Sequence, residues 1–242
     1  MDVVVGVSAL KDNYIWLFHD CQSGETAVVD PCVTLPVLNA ANARDWRITQ
    51  IWNTHWHPDH TDANLTIKAA TGCTVVAPED PIHPIPGLDS VVADGVRFQI
   101  GNRYVEVLAT PGHTAVHMAF HVPDVGVVFT GDTLFALGCG RLFEGTADEM
   151  FRSLARLTAL PPSTRVYCAH EYTLANGRFA QSLEPDNAEL AERMREIERK
   201  LELGEPTVPS TIRDELATNP FVRAPTVAAF AALRAAKDKF TA

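Results

Sequence analysis

The sequence predicts an α/β fold followed by a purely helical C-terminal region. The first 170 or so residues contain short runs of β-branched and aromatic residues between glycine, proline and polar residues, which is typical of strands. Helical stretches lie between some of these strands, and this mixture favours sheets with helices packed outside them. The sequence after residue 170 contains no strand-like run, so we expect two domains, at residues 1–170 and 171–242.

Two pairs of the predicted strands are joined by recognisable turns. Gly101 and Asn102 predict a hairpin turn, and Pro123 to Gly126 carry a second turn signature. The predicted strands cover residues 3–7, 14–19, 26–29, 48–53, 73–77, 96–100, 104–109, 117–122, 127–130 and 165–168.

Capping residues and apolar periodicity predict the helices. One helix covers residues 62–71 before Gly72, and another runs from the Thr146–Glu149 capping box to about residue 160. In the C-terminal region an apolar stripe predicts a helix from Asp186 to Gly204. A shorter helix is expected near residue 210, and a last one from residue 225 to about 240, with proline in its first position.

Composition narrows the class of protein. The formal net charge of −10 argues against a general nucleic-acid binder, and no stretch approaches the roughly 20 apolar residues that span a bilayer. The sequence has an odd number of cysteines, five, and no two of them form a C-x-x-C motif, which indicates reduced thiols. We therefore expect a cytoplasmic protein, and a monomer.

Metal-binding residue types are concentrated after the predicted strand at residues 48–53. His55, His57, Asp59 and His60 lie within six residues, and imidazole and carboxylate groups bind Zn, Fe and Mn. In an extended loop, His55 and His57 point to the same side and can share one ion. Asp59 and His60 follow Pro58, where a helix begins, and can face a second ion.

Three further candidates each follow a predicted strand. They are His113 in a Gly-His pair, Asp132 in a Gly-Asp pair, and His170. Ligands for two adjacent ions must converge from several strand ends. Asp132 has two carboxylate oxygens and can bridge both ions.

The order His-x-His-x-Asp-His, Gly-His, Gly-Asp and a late histidine resembles the ligand order of the metallo-β-lactamase superfamily. Further stretches resemble the hydroxyacylglutathione hydrolase (glyoxalase II) family, and they extend through the helical tail. The segments that carry this resemblance are residues 13–16, 54–60, 131–135, 138–141, 144–147, 168–173, 219–221 and 234–238.

The resemblance implies an αββα sandwich with a C-terminal all-helical, substrate-binding domain and a site for two divalent metal ions. Zinc is the expected metal, with iron or manganese as alternatives. One ion would be held by His55, His57, His113 and Asp132, and the other by Asp59, His60, Asp132 and His170. Asp59 and Asp132 are the implied catalytic residues. The implied reaction is hydrolysis of S-lactoylglutathione to glutathione and D-lactate.

The resemblance also implies a binding site for the glutathione part of the substrate. Its members are Arg141, Phe143, Tyr172, Arg234 and Lys237. Arg234 and Lys237 are three residues apart, so they share one face of a helix. Some relatives have lysine at position 141, and some have at position 143 a tyrosine whose hydroxyl contacts the ligand.

Other functions remain open at this point. The nearest is a mononuclear iron glutathione persulfide dioxygenase of the same superfamily, which would leave the second trio of ligands unused. A β-lactamase would have no use for the helical tail, and a non-catalytic binding module would not need every ligand intact. The remaining histidines, including His117, are expected at the surface or in the core, and Cys139 and Cys168 are expected to serve packing.

Overall fold

The computed structural model describes residues 3–241. The chain forms two compact units. One is built from the residues up to 109 together with 116–131, and the other from 110–115 together with the residues from 132 onward. The predicted domain boundary at residue 170 stays a prediction.

A six-stranded mixed sheet forms the first part of unit one. Its strands lie in chain order, β1 to β3 antiparallel and β3 to β6 parallel. The central strands are rich in buried β-branched and aromatic residues, as strands covered on both faces require. The strands are β1 (Val3–Ala9), β2 (Asn13–Asp20), β3 (Glu25–Val29), β4 (Arg47–Trp52), β5 (Thr74–Ala77) and β6 (Leu88–Val91).

Four further strands of unit one form an antiparallel meander. The predicted hairpin at Gly101 joins β7 to β8, and Gly101 has a φ of +53°, a conformation that glycine adopts without strain. The predicted turn after β9 is a short 3-10 helix, Pro123–Val125, that ends at Gly126. These strands are β7 (Arg97–Ile100), β8 (Arg103–Ala109), β9 (Met118–Val122) and β10 (Val127–Gly131).

The core of unit one lies between these two sets of strands. Trp52 of β4 is fully buried and packs on Phe98, Phe120 and Phe129, with ring centroids 5.4, 5.6 and 6.0 Å away. The other face of the six-stranded sheet is covered by α1 (Leu35–Asn42) and α3 (Asn64–Thr71), and a one-turn helix, α2 (Pro58–Thr61), precedes α3. Truncating Trp52 to alanine would cost about 3–5 kcal/mol of folding free energy, because it removes a large buried side chain and leaves a cavity.

Unit two is mainly helical. It begins with a small hairpin, β11 and β12, and strand β13 pairs with the short strand β14. Its elements are β11 (Leu134–Phe135), β12 (Gly138–Cys139), α4 (Ala147–Thr158), β13 (Arg165–Cys168), α5 (Thr173–Leu183), α6 (Ala188–Glu202), β14 (Ser210–Thr211), α7 (Ile212–Thr218) and α8 (Val227–Lys239).

The helix starts agree with the sequence at α4 and differ at α3, α6 and α8. Helix α3 begins at Asn64 rather than at residue 62. The Thr146–Glu149 capping box is present. Helix α6 begins after Asn187 rather than Asp186, because the Asn187 side chain accepts a 3.0 Å hydrogen bond from the Leu190 N–H. Helix α8 is capped by Thr226, so Pro225 precedes the helix instead of opening it.

One expectation about the C-terminal region was wrong. Ser210 and Thr211 pair with β13, so this region does contribute a strand. Two residues are too few to show an alternating pattern, so this strand could not be predicted from the sequence. Helix α7 then starts at Ile212 with a capping box between Thr211 and Asp214. Helices α1 and α5 and strands β6, β11 and β12 were not predicted. No helix within residues 3–241 has the length and apolarity needed to cross a membrane.

Candidate metal centre

Four of the predicted ligands lie side by side in unit one, just after β4. His55 Nε2 is 2.9 Å from His57 Nδ1, and His60 Nε2 is 3.7 Å from Asp59 Oδ2. The rings of His55 and His60 are 4.1 Å apart and both side chains are fully buried. Pro58 opens α2 as expected, and the helix turn places Asp59 and His60 together.

A buried carboxylate orients this first cluster. Asp30 accepts two hydrogen bonds of 2.8 Å from Thr54, one from its N–H and one from its hydroxyl, and its Oδ2 lies 3.1 Å from His60 Nδ1. The Thr54 hydroxyl is also 3.0 Å from His55 Nδ1. The Nδ1 atom of His60 therefore lies beside Asp30 and that of His55 beside Thr54, while the Nε2 atoms of both histidines lie beside the other candidate ligands.

Sequence reasoning missed Asp30. It directly follows β3 and has a φ of +51°, a strained conformation for a residue with a side chain. The available signal was its position, because a carboxylate directly after a buried strand is the pattern that singled out the other candidates.

The other three predicted ligands lie together in unit two. Asp132 points one oxygen at each histidine, with Oδ2 3.3 Å from His113 Nε2 and Oδ1 3.4 Å from His170 Nε2. All three side chains are buried. His113 Nδ1 lies 2.9 Å from the Arg141 carbonyl oxygen, which can only accept, so Nδ1 carries a proton and Nε2 is the ring nitrogen left for a metal ion.

The chain itself holds these residues at strand ends. Asp132 directly follows Gly131, the last residue of β10, and His170 follows β13 by two residues. Gly131 has a φ of +49°, and a Cβ there would meet the Thr54 Cβ at 2.8 Å and His117 Nε2 at 2.9 Å. Only glycine fits this turn, so its place before Asp132 has a steric reason.

His117, expected to be an ordinary core or surface histidine, is buried and stacks on His55 with ring centroids 4.8 Å apart. Its contact with a candidate ligand was not predicted. Cys139 and Cys168 are buried free thiols, and burial raises their pKa values to about 11 and about 12. Both thiols are neutral near pH 7, in agreement with a packing role.

A group of positive charges lies in unit two, where Arg141, Arg234 and Lys237 surround Asp238. Arg234 is only 6% exposed and donates to the Cys139 carbonyl at 2.8 Å and to Asp238 at 2.9 Å. Its Nε–H is buried and has no hydrogen-bond partner among residues 3–241. Arg141 Nε is 4.0 Å from Asp238. Burial, followed by the charges of Arg234 and Arg141, lowers the pKa of Lys237 below its ordinary value.

Both predicted aromatic contact residues are exposed. The Tyr172 ring stacks on His170 with centroids 4.8 Å apart and planes within 1° of parallel. Phe143 is 63% exposed and its ring centroid is 5.2 Å from that of His113. Each aromatic side chain thus lies beside a candidate metal ligand of unit two.

The donor sets suit divalent metal ions. Each cluster consists of imidazole nitrogens and carboxylate oxygens, which bind Zn, Fe and Mn, and none of the candidate groups among residues 3–241 includes a cysteine. The ligand atoms of His55 and His57, of His55 and His60, and of Asp59 and His60 lie within 4.8 Å of one another.

Comparison with known proteins agrees with this arrangement. Residues 12–170 match the family model described as the metallo-β-lactamase superfamily, so the fold and the cluster of histidines and aspartates define a protein of that class. Residues 171–240 match the model described as the hydroxyacylglutathione hydrolase C-terminus. The chain belongs to the hydroxyacylglutathione hydrolase family.

Curated relatives match nearly end to end. The hydroxyacylglutathione hydrolase of Methylococcus capsulatus is 50% identical over 251 residues, which is 98% of each chain. That of Maricaulis maris is 54% identical over 214 residues, covering 88% of this chain and 84% of the relative.

Solved structures confirm the predicted fold class. The crystal structure of ETHE1 from Myxococcus xanthus has a TM-score of 0.73 and 25% identity and covers 97% of this chain and 90% of its own. A metallo-β-lactamase from Staphylococcus aureus has a TM-score of 0.74 at 19% identity and covers 100% of this chain and 68% of its own, which shows the fold alone.

Proposed function

We propose that the two clusters together bind two divalent metal ions, and that the protein hydrolyses S-(2-hydroxyacyl)glutathione thioesters such as S-lactoylglutathione to glutathione and the hydroxy acid, here D-lactate. The observation that carries the proposal is the placement of Asp132. With one oxygen 3.3 Å from His113 and the other 3.4 Å from His170, its carboxylate is suited to bridge two ions.

The ligands divide into two sets that share this bridge. His55, His57, His113 and Asp132 would hold one ion. Asp59, His60, Asp132 and His170 would hold the other. Zinc is the metal we propose, with iron or manganese as alternatives that the nitrogen and oxygen donors also accept.

The residues at the site suit a thioester. When bound, two divalent ions lower the pKa of a water molecule and stabilise negative charge that develops on the carbonyl oxygen. Asp59 is held by Asn13, whose Nδ2 donates to both its carbonyl and its Oδ2 at 3.2 Å, so its carboxylate is oriented to accept a proton. A thiol has a pKa of about 8.5 and can leave as thiolate without an acid.

The positive group in unit two suits the anionic glutathione part. Because the whole chain carries −10, an anionic substrate needs a local attraction, which Arg141, Arg234 and Lys237 would supply. The buried Nε–H of Arg234 is a donor for which a substrate carboxylate is a suitable acceptor. Tyr172 and Phe143 would contribute exposed aromatic surface beside the ligands.

Of the alternatives, the mononuclear iron persulfide dioxygenase is disfavoured because it would leave unused the donors Asp59, which lies beside His60, and His170, which lies beside Asp132. ETHE1 from Myxococcus xanthus, one relative of known structure, is 25% identical, against 50% for the hydroxyacylglutathione hydrolase of Methylococcus capsulatus. One metal ion per chain together with oxygen uptake would favour the dioxygenase.

We further propose that residues 1–170 form the catalytic domain and residues 171–242 the substrate-binding domain of a cytoplasmic monomer. The family-model matches at 12–170 and 171–240 support the boundary. The five free cysteines are typical of a reducing compartment.

The test combines elemental analysis of the purified protein with release of free thiol from S-lactoylglutathione. We expect two metal ions per chain and metal-dependent turnover, and no turnover after chelation. A protein that holds two ions and releases no thiol would contradict the proposed substrate, and one that holds a single ion would contradict the dinuclear site.

A further inference from the structure

The loop of the β11–β12 hairpin is bonded by side chains of α5 and of α7 with its C-cap residue. Asn219 Nδ2 lies 3.3 Å from the Phe135 carbonyl and 3.0 Å from the Gly138 carbonyl, and Asn176 Nδ2 lies 3.2 Å from the Ala136 carbonyl. These donors follow the hairpin by some 40 to 84 residues in the chain. The backbone conformation of the hairpin is therefore set by the helical region.

Glu215 of α7 lies at the centre of this arrangement. Its side chain is fully buried, and its Oε2 accepts a 2.9 Å hydrogen bond from the Leu137 N–H and a 2.8 Å bond from Asn219. Its Oε1 accepts a 2.6 Å bond from Arg193, which balances the buried charge. Leu137 has a φ of +59°, a conformation that persists in a leucine only where the surroundings hold it.

The hairpin connects Glu215 to the candidate metal centre. Its end is closed by the Gly140 N–H, which donates to the Thr133 carbonyl at 3.1 Å, directly beside Asp132. The next residue, Arg141, accepts the 2.9 Å bond from His113 Nδ1 with its carbonyl oxygen, and this orientation of the ring turns Nε2 towards Asp132. A shift of the hairpin would move the Arg141 carbonyl and turn the His113 ring.

We propose that Glu215 is a positioning residue, which holds the hairpin so that the Arg141 carbonyl orients His113 for metal binding. This inference rests on the proposed function, because it assigns His113 to a metal ion. Groups that orient a ligand histidine typically contribute 10- to 100-fold to metal affinity or activity.

The test compares Glu215→Gln with the metal-loaded wild-type protein. The glutamine keeps the volume of the side chain but loses the charge opposite Arg193 and turns one acceptor into a donor. We expect one of the two zinc ions to bind about 10- to 100-fold more weakly in competition with a chromophoric chelator, and kcat/KM to fall by a similar factor. When Co²⁺ replaces zinc, the absorption bands of the Co²⁺ ion at the weakened position should also change.

Asp214→Asn is the matched control. Asp214 lies on the same helix and caps it by accepting the Thr211 N–H at 2.9 Å, so its loss weakens α7 without touching the hairpin. The control should melt at a lower temperature and keep both zinc affinities within about twofold. Equal weakening of zinc binding in both variants would overturn the positioning role.

A folded Glu215→Gln protein with wild-type zinc affinities and cobalt spectrum would also overturn it. If that variant does not fold, Asn176→Ala removes a single hairpin bond, and unchanged zinc affinities there would count against the proposal. A wild-type protein that binds two ions without releasing thiol would refute the proposed substrate, while the comparison of zinc affinities would still test Glu215.

Discussion

Replacing Asp30 by asparagine tests how the first cluster is oriented. The carboxylate is 3% exposed, accepts two 2.8 Å bonds from Thr54, and lies 3.1 Å from His60 Nδ1. Asparagine keeps one acceptor oxygen and replaces the other by an NH₂ group. If the NH₂ group faces His60, it favours the tautomer that carries its proton on Nε2, the atom that must bind a metal.

The expected magnitudes follow from these contacts. Losing one charged hydrogen bond in a buried site costs about 1.5–3 kcal/mol, so the metal-free variant should unfold at a correspondingly lower denaturant concentration. Zinc binding should weaken about 10- to 100-fold. The substitution changes the Nδ1 partner of His60 directly, and it disturbs the Nδ1 partner of His55 through Thr54. The assays are urea unfolding of the metal-free protein and chelator competition for zinc.

Asp20→Asn provides the matched control for this experiment. Asp20 is also a fully buried aspartate of unit one, and it accepts bonds from the Asn102 and Gln22 N–H groups at 2.9 and 3.1 Å, away from every candidate ligand. It should lose stability and keep its zinc affinity. An Asp30→Asn protein whose zinc affinity equals that of the control would refute the orienting role.

The other predictions concern the bridge, the substrate site and acid stability. Asp132→Ala should lose both ions and nearly all thiol release, and retention of two ions in elemental analysis would show that Asp132 is not the bridge. Lys237→Ala should raise KM far more than it lowers kcat. In the wild-type protein, KM should begin to rise at a pH below the ordinary pKa range of lysine, because the pKa of Lys237 is lowered. Lys237→Arg should remove that rise. Burial raises the pKa of Asp20, but hydrogen bonds led by that from Asn102 outweigh it and lower the pKa from 3.8 to about 2. The stabilising contribution of Asp20 is therefore complete above about pH 4 and lost as the pH falls towards 2, and urea unfolding of Asp20→Asn should lack that part of the pH dependence.

The features that depend on neighbouring residues were predictable from the sequence. The strand at Thr74–Ala77 is a short β-branched run, and the Thr146–Glu149 capping box marks a helix start three residues apart. The candidate ligands were predictable for a related reason, since each follows a strand whose end could be recognised. The structure places His55 beside His57, as the alternation of side chains in a loop suggested, and it also places His113 beside Asp132.

Some features escaped prediction because they depend on contacts between distant residues. Glu215 bonds Leu137 across 78 positions in the chain, and no local pattern distinguishes it from an exposed helix glutamate. The same holds for Arg234, which without the family resemblance would have been assigned to a solvated helix face and is in fact buried against Cys139, 95 positions away. Such partners are fixed by tertiary packing, which local propensity does not encode.

The most direct test of two adjacent ions acting together is a titration of metal-free protein with zinc, followed by S-lactoylglutathione hydrolysis at each step. We predict that thiol release rises until two equivalents per chain have been added and then remains constant. Full activity at one equivalent, unchanged by the second, would contradict it.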